Sequence, residues 1–229
     1  MSAGHGVVGL NLRRPWLVAN FAAFTIGAAA WGGTLRALEQ PYYGAEVSTM
    51  EAARIQAISS GASTFLFGAA VGVAQWLVLR HVIRAGWWGP ATCLGWGLGG
   101  VVMGFNAGGS LSTIGPDAGP VPPAVAFVVG LPLLVLLLGS VQWWLLRREF
   151  DGAGWWPLVN MGGLLGGFLV GFAVAMIVPW LASTDFPSAQ ALWIVGAAAG
   201  PVYGAVTWPF LAQLRRRSAP SQATPARLP

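Results

Sequence analysis

Lysine is absent from this chain, histidine occurs twice, cysteine once, and charged residues make up only 8% of the sequence. Each scarcity removes a class of chemistry. Soluble domains carry charge at roughly a quarter of their positions, so a chain this poor in charge could not cover a water-exposed surface. Without lysine, no glycine-rich run ends in Lys-Ser or Lys-Thr, and a phosphate-binding loop has no candidate. His5 and His81 cannot ligate a haem across a bundle unless a partner supplies further ligands. The lone Cys93 makes neither an internal disulfide nor a metal motif.

The charges that exist are also placed away from any intramembrane chemistry. No Asp, Glu, Lys, Arg or His falls in the middle of an apolar stretch, where such groups mark proton relays and ion-coupled transport. That argues against a pump, and leaves intramembrane aspartyl chemistry without its two carboxylates. Nucleophilic catalysis needs a serine within hydrogen-bond reach of a histidine. Ser110 and Ser112 are expected a bilayer thickness from His81, and nothing pairs Ser140 with it. The expectation is a protein that is not an enzyme.

What the chain has in excess is apolar length, with 55% hydrophobic residues. No charge occurs between Arg14 and Arg36, Arg54 and Arg80, Arg84 and Asp117, Asp117 and Arg147, Asp151 and Asp185, or Asp185 and Arg215. Each gap holds the ~20 residues a helix needs to cross a bilayer core. The reading is an all-α, polytopic membrane protein. Its six transmembrane helices are expected near 16–36, 60–80, 88–106, 122–147, 156–181 and 190–213. The first stretch is longer than the apolar region of a signal peptide and is kept as a span. Residues 1–14 and 218–229 are expected to be tails, the second one disordered.

Arginines 13, 14, 80, 84, 147, 148, 215, 216, 217 and 227 fall on one side of this arrangement, and only Arg36 and Arg54 on the other. Glu39, Glu46, Glu51, Asp117 and Asp185 keep to the arginine-poor side. The positive-inside rule then puts both termini in the cytoplasm of a bacterial inner membrane. The net charge of +5 thus reports topology rather than affinity for nucleic acid.

Self-similarity organises the spans. Gln75-Trp76-Leu77-Val78-Leu79-Arg80, Ala85-Gly86-Trp87-Trp88, Gly95 and Gly99 return as Gln142-Trp143-Trp144-Leu145-Leu146-Arg147, Ala153-Gly154-Trp155-Trp156, Gly163 and Gly167. A third, more worn copy holds Trp16, Asn20, Ala23 and Gly27 in the odd-helix frame, with Gly204, Thr207, Trp208 and Leu211 in the even one. Fixed-period similarity dictates architecture. Three hairpins of one orientation, about 15–81, 87–148 and 155–215, predict parallel repeats round a pseudo-threefold axis along the membrane normal.

Three residue sets follow. Gly95/Gly99, Gly163/Gly167 and Gly200/Gly204 have the four-residue spacing that lets membrane helices pack closely. The same flat faces would also accept a planar ligand. The tryptophans at the arginine-rich helix ends, Trp16, Trp76, Trp87, Trp88, Trp143, Trp144, Trp155, Trp156 and Trp208, are expected in an interfacial aromatic belt. Asn20, Thr92 and Asn160 in the odd helices, and Gln75, Gln142 and Thr207 in the even ones, form two polar triplets. They serve either as interhelical hydrogen-bond glue or as a neutral constriction or ligand site on the axis. On the other side, Ser48-Thr49-Met50-Glu51 is a capping box that starts a helix, and 108–123 is expected to be a loop.

The Gln-Trp-Leu-Val-Leu-Arg…Ala-Gly-Trp-Trp phrase, chiefly over residues 68–104 and 135–172, resembles a set of uncharacterised bacterial multi-pass membrane proteins that repeat it. The resemblance implies a membrane body and no activity. Thr207 in place of glutamine, and Ala212 where the other copies have Arg80 and Arg147, are departures of the third hairpin. Carriers of the mitochondrial type also have three hairpins, but their charged signatures are missing. The functional expectation is a non-catalytic accessory or scaffold subunit. It packs against other membrane subunits, or binds lipid or an apolar cofactor such as a quinone or pigment, none of which the sequence requires. The alternative is a passive pore or carrier for a small neutral solute along the axis.

Overall fold

The structure is a computed structural model that describes residues 12–42, 48–83, 86–112, 123–177 and 189–216. Six helices dominate it: α1 Arg13–Glu39, α2 Thr49–Leu79, α3 Trp88–Ser112, α4 Pro123–Leu146, α5 Trp156–Ile177 and α6 Ala189–Gln213. Segments Arg13–Tyr42, Met50–Leu79, Ala153–Ile177 and Leu192–Gln213 are long and apolar enough to cross a membrane, and α4 adds a shorter apolar stretch, Leu134–Leu146.

Three helices outrun their expected spans, α1 and α2 for local reasons. At the start of α2 the Ser48 hydroxyl accepts the Glu51 N–H at 3.3 Å, so the helix begins at Thr49 and absorbs Glu51 and Arg54 well before residue 60. Within it, the Thr64 hydroxyl donates to the Ser60 carbonyl at 2.7 Å, and Ser63 donates likewise to Ser59. Such back-bonding lets hydroxyls sit in an apolar helix without an orphaned donor. α1 runs on past Arg36 to Glu39, whose carboxylate accepts the Ser59 hydroxyl at 2.7 Å and ties the two helices together. α3 continues to Ser112, into the stretch expected as a loop from 108. Of the expected tails, residues 1–11 and 218–229 lie outside the described residues, as do 113–122 of that loop and the fifth span beyond 177, while Arg13 and Arg14 already belong to α1.

Each helix packs on its neighbours in sequence, and α6 packs on α1, so the six close into a ring. The beginnings of α1, α3 and α5 and the ends of α2, α4 and α6 share one end, the one bearing Arg13, Arg14, Arg80, Arg147 and Arg148. There, Gly152 takes a left-handed φ of 81° in the turn from α4 to α5. Beside it, β1 (Phe150–Asp151) pairs antiparallel with β2 (Arg215–Arg216), strapping the end of α6 to that turn.

Glycines set how closely the ring closes. A Cβ added at Gly95 or Gly99 would collide with Leu138 or Leu134 of α4; one at Gly163 or Gly167 would strike Tyr203 or the Ala199 carbonyl of α6. Gly27 of α1 faces Phe67 of α2 in the same way. Contacts to the following hairpin are equally regular. Gly72 meets Gly89, Gly139 meets Pro157, and Gly204 meets Leu17, each glycine three residues before Gln75, Gln142 or Thr207. Gly200 lies against the Asn20 carbonyl and the Phe21 backbone. With apolar lipid on one side and apolar protein on the other, such close backbone approach is what makes helix association favourable.

This arrangement separates two glycines of α5. Gly167→Val must displace the α6 backbone at Ala199, whereas Gly162 has nothing within 4 Å. Gly167→Val is expected to lower stability by about 1–3 kcal/mol, the usual range for overpacking. Gly162→Val should stay within about 0.5 kcal/mol. Thermal unfolding of both variants in detergent checks this.

Candidate functional site

The six polar residues singled out by the repeat come together at the arginine-rich end of the ring, all of them 0–1% exposed. The odd and even sets do not form separate triplets; tryptophans join them into one belt. The Trp88 indole N–H donates to Gln75 Oε1 at 3.2 Å, Trp156 to Gln142 Oε1 at 3.0 Å, and Trp16 to Thr207 Oγ1 at 3.0 Å. Each of these bonds joins one helical pair to the next, and the third closes the ring. Within a pair, the Gln75 amide donates to Asn20 Oδ1 at 2.9 Å and the Gln142 amide to Thr92 Oγ1 at 3.0 Å. Asn20 and Thr92 in turn donate to the carbonyls of Trp16 and Trp88, each at 2.8 Å.

The third pair reaches the same end by a substitution of parts. Thr207 is too short to carry an amide to Asn160. One turn earlier on α6, the Tyr203 hydroxyl donates to Asn160 Oδ1 at 2.7 Å, while Thr207 donates to the Tyr203 carbonyl at 2.8 Å. Val71 and Leu138 occupy the positions equivalent to Tyr203 in the other pairs. The compensation is incomplete, because Asn160 Nδ2 is buried without a partner. Tyr203 was not among the residues picked out by the repeat. The available signal was a tyrosine one turn before the worn position.

The tryptophans correct the belt expectation. Trp16, Trp88 and Trp156 are 0%, 1% and 0% exposed, because each indole N–H finds an acceptor inside the ring. A buried Trp is favourable when its single donor is satisfied. Trp208 is also buried, whereas Trp87 and Trp155 are 70% and 67% exposed. Trp76 and Trp143 are half-buried and Trp144 exposed. Each of these three carries an arginine one turn on: Arg80 lies 5.8 Å from the Trp76 ring centre, Arg147 4.9 Å from Trp143, and Arg148 3.5 Å from Trp144.

The belt leaves no passage at its own level. The space bounded by Gln75, Thr92, Gln142, Asn160, Tyr203 and Phe24 admits no water-sized sphere. The next layer is aromatic: Phe24 stacks on Tyr203 at 5.3 Å and meets Phe67 edge-on at 5.2 Å, and Phe67 meets Trp96 edge-on at 4.7 Å. Beyond it lies an apolar cavity of about 30 Å³ lined by Trp31, Thr64, Phe67, Trp96, Phe168 and Phe172. Trp96 Nε1 is buried without a partner. Among the described residues, no three His, Cys, Asp or Glu side chains gather where they could hold a metal ion.

No family model, curated protein or solved structure matches the chain.

Removing one acceptor tests the belt. Gln142→Leu strands the Trp156 N–H and takes a donor from Thr92, so it should cost about 1–3 kcal/mol, the desolvation penalty of a buried orphan. A double-mutant cycle with Trp156→Phe, read by unfolding in detergent, is expected to give a coupling of roughly 0.6–1.7 kcal/mol. A coupling near zero would mean the bond contributes nothing.

Proposed function

We propose that the chain is a six-span membrane protein. In this reading three hairpins close round a pseudo-threefold axis, and both termini lie on the cytoplasmic side of a bacterial inner membrane. It works without catalysis, as an accessory or scaffold subunit that presents its outer helix faces to another membrane subunit, to lipid or to an apolar molecule. The observation that carries this reading is the axial belt, whose polar side chains, the Asn160 Nδ2 donor excepted, are bonded within the protein. The residues best placed to bind a solute bond one another instead, and the aromatic layer fills the axis beyond them.

The repeat is supported by equivalent bonds and contacts in all three pairs, including the worn one. The membrane reading is supported by the four helices of spanning length and character. The orientation is supported by arginine crowding at one end.

Extraction in a mild detergent, followed by native mass spectrometry and a visible absorption spectrum, tests the role. The expected result is a mass above that of the bare chain, from a co-purified subunit or apolar molecule. A bare, colourless monomer would overturn the role. Orientation is checked by impermeant maleimide on cells carrying single cysteines in a Cys93→Ser background. Ser48→Cys should label in intact cells, and Gly154→Cys only after the membrane is opened.

A further inference from the structure

Two apolar grooves run along the outside of the ring, one on each side of α3. The α2–α3 groove, about 560 Å³, is lined by Phe65, Val73, Trp76, Pro90, Cys93 and Leu94. The α3–α4 groove, about 380 Å³, is lined by Leu94, Leu98, Leu137, Val141 and Trp144, with Trp87 at its mouth. Leu94, more than half exposed, is the ridge between them.

Their length matches a definite object. From Phe65 to Trp76 on α2 the helix advances about 16 Å, and from Trp88 to Leu98 on α3 about 15 Å, at 1.5 Å per residue. That is about half of a ~30 Å hydrocarbon core, the depth of one leaflet. Each groove therefore has the length of a single acyl chain lying along the bilayer normal.

Both grooves end the same way. At the arginine-rich end the first is closed by Trp76 with Arg80 over its ring, and the second by Trp144 with Arg148 over its ring. A guanidinium held over an indole is positioned rather than free to sweep the surface. Arginine in that position is well suited to a phosphate ester. The described residues put Arg13, Arg14, Arg80, Arg147, Arg148, Arg215 and Arg216 at this end, against the acids Glu149 and Asp151. The field there therefore favours an anion.

We propose that α3 is straddled by one anionic diacyl phospholipid of the leaflet that meets the arginine-rich end. One acyl chain lies in each groove with Leu94 between them, and the headgroup phosphate lies between Arg80 and Arg148. The site rests on the membrane-spanning reading above and gives the outer helix faces a defined ligand. No bond is made or broken; recognition is by chain length, groove shape and charge.

The test is native mass spectrometry of the full chain ejected from nanodiscs of mixed phosphatidylglycerol and phosphatidylcholine. One phosphatidylglycerol should stay bound in preference to phosphatidylcholine. Arg80→Gln/Arg148→Gln should lower its retention about thirtyfold, the loss of two cation contacts at a lipid surface. Val141→Trp, which fills the α3–α4 groove and touches no arginine, should lower it as well. Arg13→Gln/Arg14→Gln removes the same charge from the same end, at residues that line neither groove, and should lower retention far less. Equal retention of the two lipids would overturn the site, as would equal losses in the two arginine pairs. Maleimide labelling of intact and opened cells carrying the single cysteines above separates the two readings. A changed labelling pattern overturns the membrane topology, whereas an intact pattern with no lipid preference overturns this site alone.

Discussion

The ring depends on one bond type, an indole N–H from the start of one odd helix to a side-chain oxygen near the end of the preceding even helix. In an apolar surrounding a donor without a partner is costly, so a fixed acceptor removes the main penalty of burying a tryptophan. Trp88 has that acceptor in Gln75, Trp156 in Gln142 and Trp16 in Thr207. Each bond crosses between helical pairs rather than within one. The bonds therefore specify the order in which the pairs meet, and the Trp16–Thr207 bond joins the first helix to the last. The glutamines complete the arrangement by using both ends of one amide: the oxygen takes the neighbouring pair's tryptophan and the nitrogen donates within the pair.

Bonds of this length require backbones that come close, and the glycines provide that approach. Gly72, Gly139 and Gly204 lie one turn before the belt residues and bring the even helix against the residue that follows the donor tryptophan. Polar belt and glycine contact are thus two parts of one joint. A larger side chain at the glycine would lengthen the hydrogen bond beside it, and loss of the bond would leave only packing to hold the joint.

Much of this was legible from residue spacing. Six helices, the identity of the belt residues and the glycine faces all follow from charge-free length and repeated offsets. Two features were not. The belt tryptophans read as interfacial because adjacent pairs such as Trp87-Trp88 and Trp155-Trp156 look alike in sequence. Which member turns inward is decided by helix phase: the inner one lies four residues before Thr92 or Asn160. Tyr203 was invisible because it repairs a defect. A repeat search looks for sameness, and compensation places a different residue at a different position. The capping box at Ser48 did mark the start of α2, which charge-free length alone put near residue 60, because that length marks what can lie in lipid and not where a capped helix begins.

The belt also constrains where function can reside. Asn20, Thr92, Gln75 and Gln142 spend their hydrogen-bonding capacity on one another, and the layer behind them is closed by Phe24, Phe67, Trp96 and Tyr203. A solute using this axis would have to break several buried bonds at once and displace an aromatic cluster, with no Asp, Glu, Lys, Arg or His lining that layer among the described residues. The outer surface presents the opposite situation. Its grooves beside α3 are open and apolar, and each ends in a tryptophan carrying an arginine. The accessory role proposed above draws on this contrast between a closed interior and open exterior grooves, because it needs only the outer faces.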